Sequence, residues 1–167
     1  MKEVLKYIKD LNHSNREIYI DGWRTNFTCD FNEPATLEEI EHLENEVGYK
    51  FPEDFRKFLL ETNGICFLGY CDHWILGIED IKMIWETNCH DEGVYVIGCI
   101  LEDYVMINSK EIESGKYMYV SPNICPDEGR ALGCNFETFL KRFTNANFSK
   151  YWDWFPIYEY VDLGDKE

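Results

Sequence analysis

The segment from residue 36 to residue 64 constrains the fold most, because it contains start and stop signals for two consecutive helices. Thr36 can cap a helix, and Glu39 completes a capping box three residues later. Gly48 stands where a helix would end in a left-handed residue. The residues between them share one apolar stripe: Leu37, Ile40, Leu43 and Val47. The pattern therefore predicts an amphipathic helix ending at Gly48.

A second helix is predicted immediately afterwards. Pro52 suits the first turn of a helix, where the missing amide hydrogen costs nothing, and Glu53 and Asp54 complement the positive end of the helix dipole. Asn63-Gly64 is a stop signal. The apolar face between these signals consists of Phe55, Phe58, Leu59 and Thr62.

The remaining elements are shorter. One-turn spacing of Val4, Ile8 and Leu11 predicts a helix at the beginning, while residues 13 to 35 fit a loop or irregular strands equally well. Ser114-Gly115 is typical of a hairpin turn. Strands are predicted at His73–Ile78, Val94–Gly98, Tyr104–Asn108 and Lys116–Ser121, and helices from about Glu79 and over Asn135–Thr144.

These elements predict an α+β fold with a mainly antiparallel sheet flanked by helices, because the strands do not alternate regularly with helices. A length of 167 residues favours one domain, which we place at residues 1–167. There is neither a signal-peptide core nor an apolar run long enough to span a bilayer, so we expect a cytoplasmic protein.

The segment from Thr36 to Ile65 resembles the entry motif of the SUKH superfamily, whose founding cellular members are yeast Smi/Knr-type cell-wall regulators. The resemblance covers about residues 36–143. The matching residues are Ile40, Leu43, Glu44, Gly48, Pro52, Asp54, Phe58, Leu59, Asn63 and Gly64, then Ile97-Gly98, and finally Phe136, Phe139 and Leu140. One departure is the stretch from Cys99 to Asp103, where many members have a Gly-Gly-Asp turn.

In bacteria this resemblance implies a cytoplasmic immunity protein that neutralises the toxin domain of a polymorphic or contact-dependent toxin, often a nuclease. The alternative is a non-catalytic regulatory scaffold of the Smi/Knr cell-wall type. We expect no enzyme activity and no cofactor, because the chain has no phosphate-binding loop, dinucleotide fingerprint, zincin motif or nucleophile elbow.

The charge distribution indicates what kind of partner the chain could bind. Thirty-two acidic against 16 basic side chains give a net charge of −16, which argues against direct nucleic-acid or anionic-membrane binding. Residues 58–109 contain nine acids and one base, Lys82. Together with the resemblance, this predicts docking of a basic toxin domain on acidic turns, although a surplus of acids can also serve solubility alone. The candidate partner-binding residues are Asp72, Asp91, Glu92, Glu102, Asp103, Asp127 and Glu128. The sequence does not predict an oligomeric state.

Two further clusters have simpler explanations. The aromatic segment from Phe148 to Tyr160 could be an exposed binding strip, but core packing is the more frequent role of such residues. The spacing of Cys66, Cys71, His73, Cys89 and His90 is poor for zinc, so we expect no metal site. Buried free thiols are the alternative for the cysteines.

Overall fold

The computed structural model of the protein describes residues 1–20, 23–68, 73–87, 93–122 and 129–154. The α-helices in these ranges are α1 (Lys2–His13), α2 (Leu37–Val47), α3 (Glu53–Leu59), α4 (Ile78–Thr87) and α5 (Phe136–Asn145). The strands are β1 (Glu17–Ile20), β2 (Trp23–Asn26), β3 (Cys29–Phe31), β4 (Ile65–Phe67), β5 (His73–Ile75), β6 (Val94–Ile100), β7 (Asp103–Asn108), β8 (Met118–Ser121) and β9 (Arg130–Ala131). Short 3₁₀ helices cover Ser109–Ser114 and Tyr151–Asp153.

The sheet has a simple order. Within the described residues it contains seven strands, which follow one another from β3 to β9, each antiparallel to the next. Strands β1 and β2 form a separate antiparallel pair. The predicted α+β fold with a mainly antiparallel sheet is therefore confirmed. No helix in the described ranges is both long and apolar enough to cross a membrane.

The signals around α2 have the predicted geometry. The Glu39 N–H donates to Thr36 Oγ1 at 3.2 Å, and the Thr36 N–H donates to Glu39 Oε2 at 2.7 Å, which completes the capping box. Gly48 ends the helix with a φ of 80°. Helix α3 begins at Glu53, so Pro52 is its N-cap residue and not part of the first turn as predicted.

Two turns differ from the prediction. Ser114 ends a 3₁₀ helix and Gly115 caps it in the left-handed region, so these residues do not form a tight hairpin. The tight turn lies instead between β6 and β7, where Leu101 and Glu102 have φ values of 46° and 72°. Two successive left-handed residues match the twist of the flanking strands, which explains why this turn closes the hairpin without glycine.

The core is rich in aromatic rings from α3 and α5. Phe136 packs edge-on against Phe55 and Phe58, and Phe143 contacts Phe148 in the same manner. Phe148 and Trp152 are both buried, which confirms core packing for this part of the C-terminal aromatic segment. Trp154 is exposed, and Phe155, Tyr158 and Tyr160 lie outside the described residues.

Candidate protein-binding surface

Glu44 in the α2 motif is a buried structural carboxylate. It receives hydrogen bonds from Lys50 Nζ at 2.8 Å, from the Phe51 N–H at 2.9 Å and from Arg56 Nη1 at 2.7 Å. Burial alone would raise the pKa of Glu44, but these hydrogen bonds and the charge of Arg56 hold that pKa below its usual value. The bond to Arg56 joins α2 to α3. The side chain of Glu44 has no exposed surface, so a partner cannot reach it.

Asp54 in α3 performs a similar task at the start of α5. Its carboxylate accepts hydrogen bonds from the Tyr117 hydroxyl and, at 2.9 Å, from the Glu137 N–H. The second contact satisfies a free backbone donor in the first turn of α5. Burial and the hydrogen bond to Asp54 raise the pKa of Tyr117, which keeps the phenol protonated. Asp54 therefore fixes α5 against α3.

Asn63 and Gly64 connect three segments of the chain. Asn63 Oδ1 accepts a hydrogen bond from the Ile78 N–H at 2.9 Å, which caps the start of α4. Gly64 has a φ of 102°, and a Cβ at this position would lie 2.9 Å from both Gly77 N and Ile75 O. Close backbone packing thus requires glycine at position 64, and the side chain of Asn63 caps α4. Like Glu44 and Asp54, Asn63 stabilises the fold through its hydrogen bonds.

The exposed carboxylates of α4 are different. Glu79, Asp80 and Glu86 point to solvent, and no Lys, Arg or His in the described part of the chain lies within 4 Å of them. Lys82 on the same helix is occupied by Glu46 of α2, at 2.9 Å. The hydrogen bond from Lys82 lowers the pKa of Glu46, and the pKa of Lys82 is raised in turn. Lys82 also attracts Glu79 and Glu86 at longer range, so the three exposed acids of α4 are opposed by one lysine that is shared with Glu46.

An apolar cavity of about 230 Å³ adjoins these charges. Asp80 is among its lining residues, together with Trp74, Met83, Ile84 and Cys66. Met83 is 57% exposed although it is apolar. A pocket with an acidic margin and a flexible Met can accept the aliphatic stem of a cationic side chain and pair with its charged end. We call Glu79, Asp80, Met83, Glu86 and this cavity the α4 surface.

The predicted residues Glu102 and Asp103 have different environments. Glu102 is exposed at the tip of the β6–β7 turn. Asp103 accepts a hydrogen bond from Trp152 Nε1 at 2.8 Å and forms an ion pair with Lys150 Nζ at 3.1 Å. Its carboxylate therefore holds the C-terminal 3₁₀ helix, and Glu102 is the more accessible of the two.

The other predicted partner-binding residues cannot be placed. Asp72, Asp91, Glu92, Asp127 and Glu128 lie outside the described residues, so their contribution stays a prediction. The predicted partner-binding residues do not include the acids of α4, because only acids in turns were expected to face a partner. The exposed positions of this helix could have been found from its apolar face, which begins with the buried Ile78 and Ile81.

The structure describes only part of the cysteine and histidine cluster. Among the described residues, no three His, Cys, Asp or Glu side chains are grouped so that they could hold a metal ion. Of the cysteine–histidine cluster, Cys66 and His73 are described, whereas Cys71, Cys89 and His90 are not. His73 is 2% exposed, and Cys66 is half-buried.

Comparison with known proteins identifies similar chains. The model of the SMI1 / KNR4 family (SUKH-1) matches residues 34–142. The uncharacterized protein YnaB of Bacillus subtilis (strain 168) is 31% identical over 139 residues, which cover 81% of this chain and 95% of YnaB. The uncharacterized protein YobM of the same organism is 28% identical over 133 residues, which cover 72% of this chain and 71% of YobM.

Proposed function

The chain belongs to the SMI1 / KNR4 family (SUKH-1), and from this premise we propose that it is an immunity protein that binds and neutralises a protein toxin. The toxin would be the basic domain of a polymorphic or contact-dependent system, with a nuclease as the leading candidate. Both similar proteins reported above are bacterial, which favours immunity over the yeast type of cell-wall regulator. The site of action would be the cytoplasm, where such toxins act.

The observation that carries this proposal is the excess of exposed acids over bases on the α4 surface. Three exposed carboxylates lie on a helix of ten residues, while the carboxylates of Glu44 and Asp54 are occupied within the fold. Exposed charges of one sign attract a partner of the opposite sign, and they raise the rate and specificity of association more than its affinity. A nuclease must hold phosphates with basic side chains, so its active-site rim is a suitable partner.

The mechanism is occlusion. The acids Glu79, Asp80 and Glu86 would pair with basic side chains at the rim of the toxin active site. The cavity beside Met83 would take an apolar or aliphatic anchor, because fully desolvated pockets supply most of the binding energy of an interface. Glu102 is a second candidate contact from the original set. No catalytic step is needed, since the bound immunity protein would exclude nucleic acid from the toxin.

Co-expression with a candidate toxin domain from the same genome tests this proposal. The wild-type protein should rescue growth and co-purify with the toxin. The combined substitutions Glu79→Lys, Asp80→Lys and Glu86→Lys should abolish rescue and leave the protein folded. The matched control reverses three other exposed acids that have no ion pair among the described residues, namely Glu3, Glu38 and Glu113, and should retain rescue.

The outcomes separate the alternatives. If the α4 variant and the control rescue growth equally, the α4 surface is not the toxin-binding site. If the wild-type protein neither rescues growth nor co-purifies with the toxin, the immunity proposal is wrong and a regulatory scaffold becomes the better explanation. Dissociation constants that do not change with salt concentration would contradict the electrostatic part of the mechanism.

A further inference from the structure

A second cleft lies between β9, α5 and the C-terminal 3₁₀ helix, and its chemistry is opposite to that of the α4 surface. Its volume is about 500 Å³, within the range typical of small-molecule sites. The residues that line it are Arg130, Ala131, Leu132, Arg142, Asn145, Ala146, Tyr151, Trp152 and Trp154. Among the described lining residues, apolar and aromatic groups accompany two arginines, and none of these residues is acidic.

The partners of the two arginines among the described residues leave donors available. Nη1 of Arg130 is buried and has no hydrogen-bond partner among the described residues, although it forms a long ion pair with Asp153 Oδ1 at 3.7 Å. Arg142 is exposed, donates from Nη1 to the Leu132 carbonyl at 3.2 Å and also interacts with the side chains of Cys134 and Tyr151. No carboxylate within the described ranges lies within 4 Å of Arg142, although the chain contains 32 acidic residues.

A buried guanidinium nitrogen without a hydrogen bond costs free energy that an anionic acceptor would recover. Arginine presents its donors in a planar fork that matches carboxylate, sulfonate or phosphate oxygens. The aromatic side chains of Tyr151, Trp152 and Trp154 supply flat apolar surfaces beside that fork. Trp154 is 60% exposed, so its ring is accessible to a ligand.

We propose that this cleft binds a small molecule that joins a planar aromatic body to an anionic group. The anionic group contacts Arg130 and Arg142, and the aromatic body packs on Trp154. The net charge of the protein does not prevent this, because distant surface charges are screened over about 10 Å at ordinary ionic strength. The site is separate from the α4 surface and does not depend on the immunity function.

Anilinonaphthalene sulfonate is a suitable probe, because it combines an aromatic body with an anion and reports binding by fluorescence. Phenylnaphthylamine, its parent without the sulfonate, is the matched neutral ligand. The full-length folded protein should bind the sulfonate at least about tenfold more tightly than the neutral parent, the ratio expected for one charge-assisted contact. Equal affinities, or no binding of the sulfonate, would overturn the proposal.

Two pairs of variants locate the site. Arg142→Gln should weaken sulfonate binding about tenfold, whereas the exposed Arg16→Gln should leave it unchanged. Trp154→Ala should weaken binding of both ligands, whereas Trp23→Ala, at another exposed tryptophan, should affect neither. If Arg142→Gln does not fold, the proposal is tested by Trp154→Ala with its control Trp23→Ala, and by the affinities of the wild-type protein for the two ligands. Wild-type affinity in the folded Arg142 or Trp154 variant refutes the assignment.

Discussion

The α2–α3 motif and α4 both contain Asp and Glu residues, but their carboxylates have different roles. Those of the motif hold the fold together, whereas those of α4 face solvent. Glu44 is fully buried and accepts hydrogen bonds from two cationic side chains and a backbone N–H. Glu79 and Glu86 are exposed and have no basic partner within 4 Å among the described residues. The difference shows that net charge alone does not locate a binding surface, since acids satisfied inside the fold have no capacity left for a partner.

The largest expected effect is at the buried carboxylate. Glu44→Ala leaves Arg56, whose side chain is mostly buried, without its principal partner, and should lower the free energy of unfolding by about 3 to 5 kcal/mol. Urea denaturation followed by circular dichroism measures this. The control is Glu41→Ala, because Glu41 is half exposed and 3.7 Å from the same arginine, and its effect should stay below about 1 kcal/mol. Equal effects would remove the contrast between buried and exposed acids.

Acid titration sharpens the same comparison. The pKa of Glu44 is lower in the folded protein than its ordinary value of 4.5. Its contribution to stability is therefore complete above that value and is lost as pH falls through the folded pKa. The stability difference between the wild type and Glu44→Gln should shrink below about pH 4.5. A difference that stays constant down to about pH 2 would mean that the folded state does not favour the ionised form.

Substitution of the exposed acids of α4 should weaken toxin binding and have a much smaller effect on stability than the loss of Glu44. Reversal of Glu79, Asp80 and Glu86 to Lys should weaken toxin binding by at least about tenfold, mainly through a slower association rate. The free energy of unfolding should fall by at most about 2 kcal/mol, because Glu79 and Asp80 lie in the first turn of α4 and Lys82 attracts Glu79 and Glu86, but no acid of the group is buried. Surface plasmon resonance at several salt concentrations measures the first quantity, and urea denaturation the second. A stability loss as large as that of Glu44→Ala would show that these acids are structural.

The smallest effect is expected at the β6–β7 turn. Glu102→Lys should reduce toxin affinity by a few-fold, since one rim charge contributes little. Asp103→Lys should instead destabilise the protein, because it would place a cation beside Lys150 and remove the acceptor of Trp152. Thermal unfolding of the two single variants separates these roles. If Glu102→Lys is the less stable variant, the roles assigned to the two neighbours are reversed.

The parts of the fold that sequence analysis predicted best have local causes. The capping box at Thr36 and the left-handed Gly48 are readable from neighbouring residues, and both lie where they were predicted. Strands β1 and β2 have four residues each and stabilise each other by pairing, so neither has a clear signal on its own. The turn at Leu101 and Glu102 lacks glycine, so composition favoured the wrong position for the tight turn.

The negative charge of the candidate site could be predicted from the sequence, but its exact position could not. The surplus of acids in residues 58–109 indicated an acidic surface, and α4 lies within that range. Whether the carboxylate of an acid is available to a partner depends on contacts with residues that are distant in sequence. Asp103 is bound by Trp152, which is 49 positions later, and no local pattern reveals that contact. The cavity beside Met83 likewise requires β4, β5 and α4 to meet.

The order of the seven-stranded sheet has a consequence for how the chain folds. Every strand from β3 to β9 pairs with the next one along the chain, so the sheet can grow by adding one strand at a time. The pairing of β3 with β4 is the exception in loop length, because the segment between them contains α2 and α3. The hydrogen bond between Asp54 and the Glu137 N–H spans 83 positions. The docking of α5 therefore depends on residues that are much farther apart in sequence than the neighbouring strands of the sheet.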